Sequence, residues 1–172
     1  VIALYSNGQY QEAIDSIKLL NESYPNVPFL FNLIGACYKS LGQLKAAAQM
    51  FETAVGIKPD YAEALKNLGI TLDDLGQLDG AVKCFEKAII ADTNYVDAHY
   101  NLAITLKKLG LLDAAVKSYE NVLAINPNFA QAHNNLGNVF KSLGKNHAAV
   151  DCYKKAIAIN PNFAEAYSNL GN

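Results

Sequence analysis

At 172 residues, with 51% hydrophobic and 17% charged side chains, the chain has the composition of a folded protein and not of a disordered tail. Its net charge of −2, spread over interspersed acids and bases, supplies no basic excess to neutralise a phosphate backbone, which argues against nucleic acid as a partner. Three scattered cysteines (Cys37, Cys84, Cys152) without CxxC spacing give no disulfide framework or zinc site and point to a reducing, cytoplasmic setting, and no apolar run is long enough for membrane insertion.

Residues 1–27 read as a partial unit, with a glycine turn at Gly8, a second helix carrying Ala13, and Pro25 closing it. The segment 28–61 reads as a helix with Gly35, Tyr38 and Leu41 on one face, a turn at Gly42, a helix carrying Ala47 and Phe51, and a stop at Pro59. In 62–95, Leu65, Leu68, Gly69, Leu72 and Leu75 recur at three- and four-residue steps, one face of an amphipathic helix. Gly76 ends that helix where a left-handed residue is wanted. Asp79 opens the next helix, where its charge suits the dipole, and Ala81, Val82, Phe85, Ala88 and Ile89 form its apolar face. Thr93 replaces the closing proline, so a less rigid junction is expected there.

The segment 96–129 repeats the plan with Ala103, Leu106, Gly110, Ala115, Tyr119 and Pro127, and 130–163 with Gly137, Phe140, Gly144, Ala149, Tyr153 and Pro161. Asn146 stands where Tyr10, Leu44, Leu78 and Leu112 stand, and with Lys145 and His147 it makes a polar turn where looser packing is expected. Residues 164–172 begin a further unit. The pattern starts and stops inside a unit, so a longer parent is expected.

Gly8, Gly42, Gly76, Gly110 and Gly144 thus stand 34 residues apart, and an alanine follows each by five. A fixed period of that size means an all-α solenoid of stacked antiparallel helix hairpins, a single array over residues 1–172. The small residues Gly35, Gly69, Ala103 and Gly137 imply close helix approach, and Phe51, Phe85, Tyr119 and Tyr153 are the knobs that fill the space beside them. Leu4 and Leu170 are expected to face solvent at uncapped ends, where end-to-end self-association would cover them.

The succession Leu-Gly, turn glycine, alanine, aromatic, alanine and proline resembles the tetratricopeptide repeat over the whole chain. The family's usual Trp is absent, and Phe31, Leu65, His99, His133 and Tyr167 take its place. The resemblance implies a right-handed superhelix with first helices lining a concave groove and second helices outside. It implies a scaffold that binds a protein or peptide partner, an extended peptide or a helix, and no catalysis within these residues. An alternative is the substrate-recruiting or regulatory arm of a larger enzyme such as a glycosyltransferase, because the tetratricopeptide arm of O-GlcNAc transferase is similar.

Under that layout the groove carries Asn67, Asn101, Asn135 and Asn169 in one slot, with Leu33 there in the earlier unit and Asn32 beside it. The slot of Ala36, Ile70 and Ile104 continues with Asn138 and Asn172, and a third slot reads Lys39, Asp73, Lys107, Lys141. An amide both donates and accepts, so the asparagine row can hold a peptide backbone without reading its side chains; the same amides can instead bond neighbouring helices. A carboxylate clamp of the kind the family uses finds Lys66 and Asn101 in place, but Ile70, Gln131 and Asn135 fill its other positions, leaving too few cations. Lys107, Lys108 and Lys141 can attract an acidic segment or simply complement helix dipoles.

No cofactor or metal is expected. His99 and His133 share a slot held elsewhere by Leu65, which marks packing rather than ligation. Asp73 and Asp74 are adjacent on a helix and point apart. Asn21-Glu22-Ser23 is a glycosylation triplet by letter alone, and no phosphate loop or nucleophile elbow occurs.

Overall fold

The computed structural model describes residues 1–171; Asn172, in the last expected slot, lies outside the described residues. The chain divides into two compact units, Val1–Thr93 and Asn94–Asn172, and the division falls where Thr93 replaces proline. The first holds α1 (Ile2–Ser6), α2 (Tyr10–Ser23), α3 (Pro28–Ser40), α4 (Leu44–Ile57), α5 (Ala62–Asp74) and α6 (Leu78–Ala91). The second holds α7 (Val96–Lys108), α8 (Leu112–Ile125), α9 (Ala130–Ser142), α10 (Asn146–Ile159) and α11 (Ala164–Gly171). Every element among the described residues is helical.

The hairpin turns are helix C-caps built on a left-handed residue. At Gly42, φ is +73°, its N–H donates to the Lys39 carbonyl at 2.9 Å, and the Gln43 N–H reaches back to the Tyr38 carbonyl at 2.9 Å. These two bonds satisfy carbonyls that the end of α3 would leave orphaned. The polar turn before α10 keeps the same form: φ at Gly144 is +72° and the Lys145 N–H donates to the Phe140 carbonyl at 2.8 Å. Asn146 is exposed where Leu44, Leu78 and Leu112 are half-buried, so the packing is thinner there while the backbone bonds are unchanged.

The second helices begin without help from a side-chain cap, since Gln43, Gln77, Leu111 and Lys145 precede them and none bonds the first turn. Helices of 14 residues are marginal alone, so these are held by the faces they bury. Three first helices, α3, α5 and α9, lie against their second helices through a glycine facing a ring. Built on Gly35, a β-carbon would stand 2.6 Å from the Phe51 ring; on Gly69 it would meet Phe85 at the same distance. Ala13, Ile14 and Ile17 of α2 pack with Leu30, Ile34 and Cys37 of α3. Leu4 was expected in solvent; instead α1 folds onto that cluster and leaves Leu4 half-buried, and Leu170 is likewise half-buried.

Candidate functional site

In the first unit, α3 and α5 carry Asn32 and Asn67 side by side. The Asn67 Nδ2 donates to the Asn32 Oδ1 at 3.0 Å, and the Asn32 Nδ2 faces the Tyr61 hydroxyl at 3.5 Å. Asn32 is buried, so the bond satisfies a group that water does not reach. An open cavity of about 520 Å³ lies over this pair, lined among others by Phe29, Lys39, Phe51 and Lys66. Lys39 is already engaged, its Nζ 3.1 Å from the Asp74 carboxylate.

In the second unit the same stagger recurs. Asn135 of α9 donates to the Tyr100 hydroxyl of α7 at 2.9 Å, and Asn169 of α11 donates to the Asn134 Oδ1 of α9 at 3.0 Å. The Asn134 Nδ2 in turn donates to the Glu165 carboxylate at 2.9 Å. Asn138 accepts from the Tyr153 hydroxyl at 2.9 Å, while Asn101 turns back to its own helix and donates to the Asp97 carbonyl at 2.7 Å. The Tyr100 ring stacks on Phe129 at 4.9 Å and meets Tyr119 edge-on at 6.0 Å.

The sequence-predicted residues therefore separate into small groups. Asn32, Lys66 and Asn67 share one cavity, Lys107 and Asn135 a second of about 320 Å³, and Lys141 and Asn169 a third of about 250 Å³. Asn101 and Asn138 line none of these three. Asn67 and Asn169 each spend one donor on the neighbouring helix and keep a second N–H and a carbonyl lone pair, whereas the Asn135 amide faces the Tyr119 hydroxyl as well as that of Tyr100. Comparing equivalent positions missed the acceptors, because Asn32, Tyr100 and Asn134 stand 35 residues, not 34, before their donors.

Burial raises the hydroxyl pKa of Tyr119, with nearby Tyr100 adding to the effect and Asn135 opposing it; Tyr100 is raised by burial as well, again against Asn135. Both remain neutral phenols that can donate and accept. Burial also raises the thiols of Cys37, Cys84 and Cys152, the opposite of what a nucleophilic thiolate needs. His133 is buried with its Nε2 donating to the Pro127 carbonyl at 2.9 Å, a packing role. Among the described residues no group of three or more His, Cys, Asp or Glu is placed to hold a metal ion, and no helix is long and apolar enough to cross a membrane.

Comparison with known proteins bears on the family. One family profile, described as TPR repeat, matches residues 72–110, 106–144 and 137–172. Two more, described as tetratricopeptide repeat, match residues 39–89 and 1–62. Anaphase-promoting complex subunit 3 of Dictyostelium discoideum is 34% identical over 65 residues, 38% of this chain and 7% of that protein. The protein CTR9 homolog of Arabidopsis thaliana is 36% identical over 67 residues, 38% of this chain and 6% of that protein. The matched segment is thus a small part of either relative.

Among solved structures, MamA is similar with a TM-score of 0.88 and 26% identity, covering 95% of both chains. YrrB, a TPR protein described as having an unusual peptide-binding site, is similar in fold with a TM-score of 0.86 and 23% identity, covering 99% of this chain and 88% of that one. The fold is the α-solenoid fold of these structures, and with profile matches running from residue 1 to residue 172 the chain belongs to the tetratricopeptide repeat family.

Proposed function

We propose that this chain is a protein-interaction scaffold whose first helices receive an extended peptide or a partner helix. In this reading residues 1–172 form one array, with repeats at 28–61, 62–95, 96–129 and 130–163, a partial repeat before them and the start of another after. The observation that carries the reading is the state of the asparagines. Asn67, Asn135 and Asn169 are each fixed by one bond to the preceding first helix and keep hydrogen-bonding capacity beside an open cavity. A pre-oriented amide loses little entropy when it bonds a peptide backbone, which is how such a surface gains affinity without reading sequence. Family membership supports a protein partner, and the peptide-binding site reported for YrrB supports a peptide. The matches inside two much longer proteins favour a module that works within a larger assembly.

The test is a peptide array probed with the chain and with a variant carrying Asn67→Ala, Asn101→Ala and Asn135→Ala. Loss of binding with far-UV circular dichroism unchanged supports the groove. A second variant, Lys66→Ala with Asn101→Ala, removes no bond between helices and guards against loss through unfolding. Binding unaffected by either variant sinks the reading and moves attention to the second helices.

A further inference from the structure

The repeats are close copies, so a departure from their common pattern marks a position with a separate role. One surface slot of the second helices holds Glu22, Gly56, Ala124 and Ala158, and in α6 it holds Ile90, 80% exposed. A loop slot between repeats holds Asn26, Asn94, Asn128 and Asn162, and before α5 it holds Asp60 instead. Both departures line one open cavity of about 550 Å³ in the first unit. Val55, Pro59 and Asp60 at the end of α4 form one wall, and Lys87, Ile90 and Ala91 of α6 the other. This cavity shares no residue with the one over Asn32 and Asn67.

Folding of the chain does not call for Ile90. Its side chain stands in water, and alanine is the better helix former. A single exposed isoleucine is ordinary, but this one lies beside Pro59, Ala91 and the half-buried Val55 and so belongs to a patch. Lys87 stands one turn before it. The positions three and four away from Lys87 on α6 are Lys83, Cys84, Ile90 and Ala91, so no acid of that helix faces it. Among the described residues neither Lys87 nor Asp60 takes part in an ion pair. Lys58, two residues before Asp60, lies over the Tyr61 ring at 5.6 Å.

The patch therefore has an apolar centre, an unpaired cation on its helix wall and an unpaired anion on its loop wall. A surface that carries each sign once is complementary to itself. Turned about a twofold axis at Ile90, Lys87 of one copy comes against Asp60 of the other, and the exchange is made twice in one contact. A purely acidic or purely basic partner would match one of the two charges and oppose the other.

We propose that this cavity is the contact of a homodimer, in which two copies of the chain meet at Ile90 with Lys87 of each beside Asp60 of the other. The contact is small, so the dimer is weak and exchanging, with a Kd on the order of 10⁻⁴ M. It closes at two copies, unlike end-to-end stacking, and it does not depend on the groove reading. The matching slots of the second unit hold Asn128 and Ala158 and carry no such contact.

The experiment is sedimentation equilibrium of the full chain from about 10 µM to about 1 mM, a range that brackets the expected Kd. The mass is expected to rise reversibly towards two copies and to stop there. Ile90→Ala, which gives α6 the residue that α8 and α10 carry, is expected to raise Kd about tenfold or more with the circular dichroism melt unchanged. Lys87→Glu and Asp60→Lys are each expected to raise Kd about fivefold or more, and the two together to bring it back to within about twofold of the parent. A mass that stays at one copy throughout overturns the proposal. So does a mass that climbs past two copies and ignores Ile90→Ala, which means stacking at the ends, and so does a dimer that Ile90→Ala leaves intact. A dimer that Ile90→Ala weakens but that the doubled charge reversal fails to restore means another docking geometry and overturns it as well.

Discussion

A β-carbon placed on Gly137 would stand 2.5 Å from the Cε1 of Tyr153. No relaxed pair of carbons lies so close, so the α9–α10 hairpin is spaced by the absence of a side chain. Gly137→Ala gains up to about 1 kcal/mol of helix propensity, while forcing the ring aside costs about 1–3 kcal/mol. The expected net result is a loss of about 1–2 kcal/mol, seen as a lower urea midpoint at unchanged slope. A raised midpoint would show that the ring yields freely. The slot holds Ala103 in α7, so a methyl is tolerable where the hairpin is built around it.

Gly76 makes the opposite case. Nothing lies within 4 Å of where its β-carbon would be, yet its φ is +76°. Gly76→Ala is expected to cost about 1–2 kcal/mol through backbone conformation alone, and Gly76→Asn less, because asparagine visits that region more readily. Equal melting of the two variants would contradict that origin.

Asn32 and Asn67 form a pair whose members depend on one another. Asn67→Ala is expected to cost about 1–2 kcal/mol, because it strands a buried acceptor on Asn32. A double-mutant cycle with Asn32→Ala checks this and is expected to show coupling of about 0.5 kcal/mol or more. Asn101→Ala, which removes only a bond to its own helix at the Asp97 carbonyl, is expected to stay within about 0.5 kcal/mol of the parent.

The tyrosines set an alkaline limit. Burial holds the Tyr119 hydroxyl above its ordinary range, so the folded chain keeps this proton at a pH where the unfolded chain loses it. Above pH ~10 the unfolded state binds fewer protons than the folded one, and stability falls by up to about 1.4 kcal/mol per pH unit for this group. Below that range the contribution is fully present. Urea denaturation across pH 8–11 (about the span the buffers allow), with Tyr119→Phe as control, is expected to show a shallower alkaline decline in the control.

The helices and their turns were legible because each rests on a local rule repeated at one spacing: a left-handed glycine, a small residue, a ring. Gly35 with Phe51 and Gly69 with Phe85 could be paired on paper for that reason. The asparagines were legible only as a row. Reading equivalent positions compares Asn67 with Asn135, whereas the bonds join Asn67 to Asn32 and Asn135 to Tyr100. Lys39 with Asp74 escaped in the same way. Leu4 was misplaced because hydrophobic pattern alone does not tell that a helix of five residues folds back onto its neighbour.

That one-residue offset makes the repeats poor cassettes. A donor and its acceptor belong to different repeats, and the acceptors differ: an amide oxygen at Asn32 and Asn134, and a phenol at Tyr100. Exchanging blocks whose acceptors differ would leave each internal hairpin intact and still mismatch a seam. The order of the blocks is therefore part of what the chain encodes, although each block taken singly looks like the next.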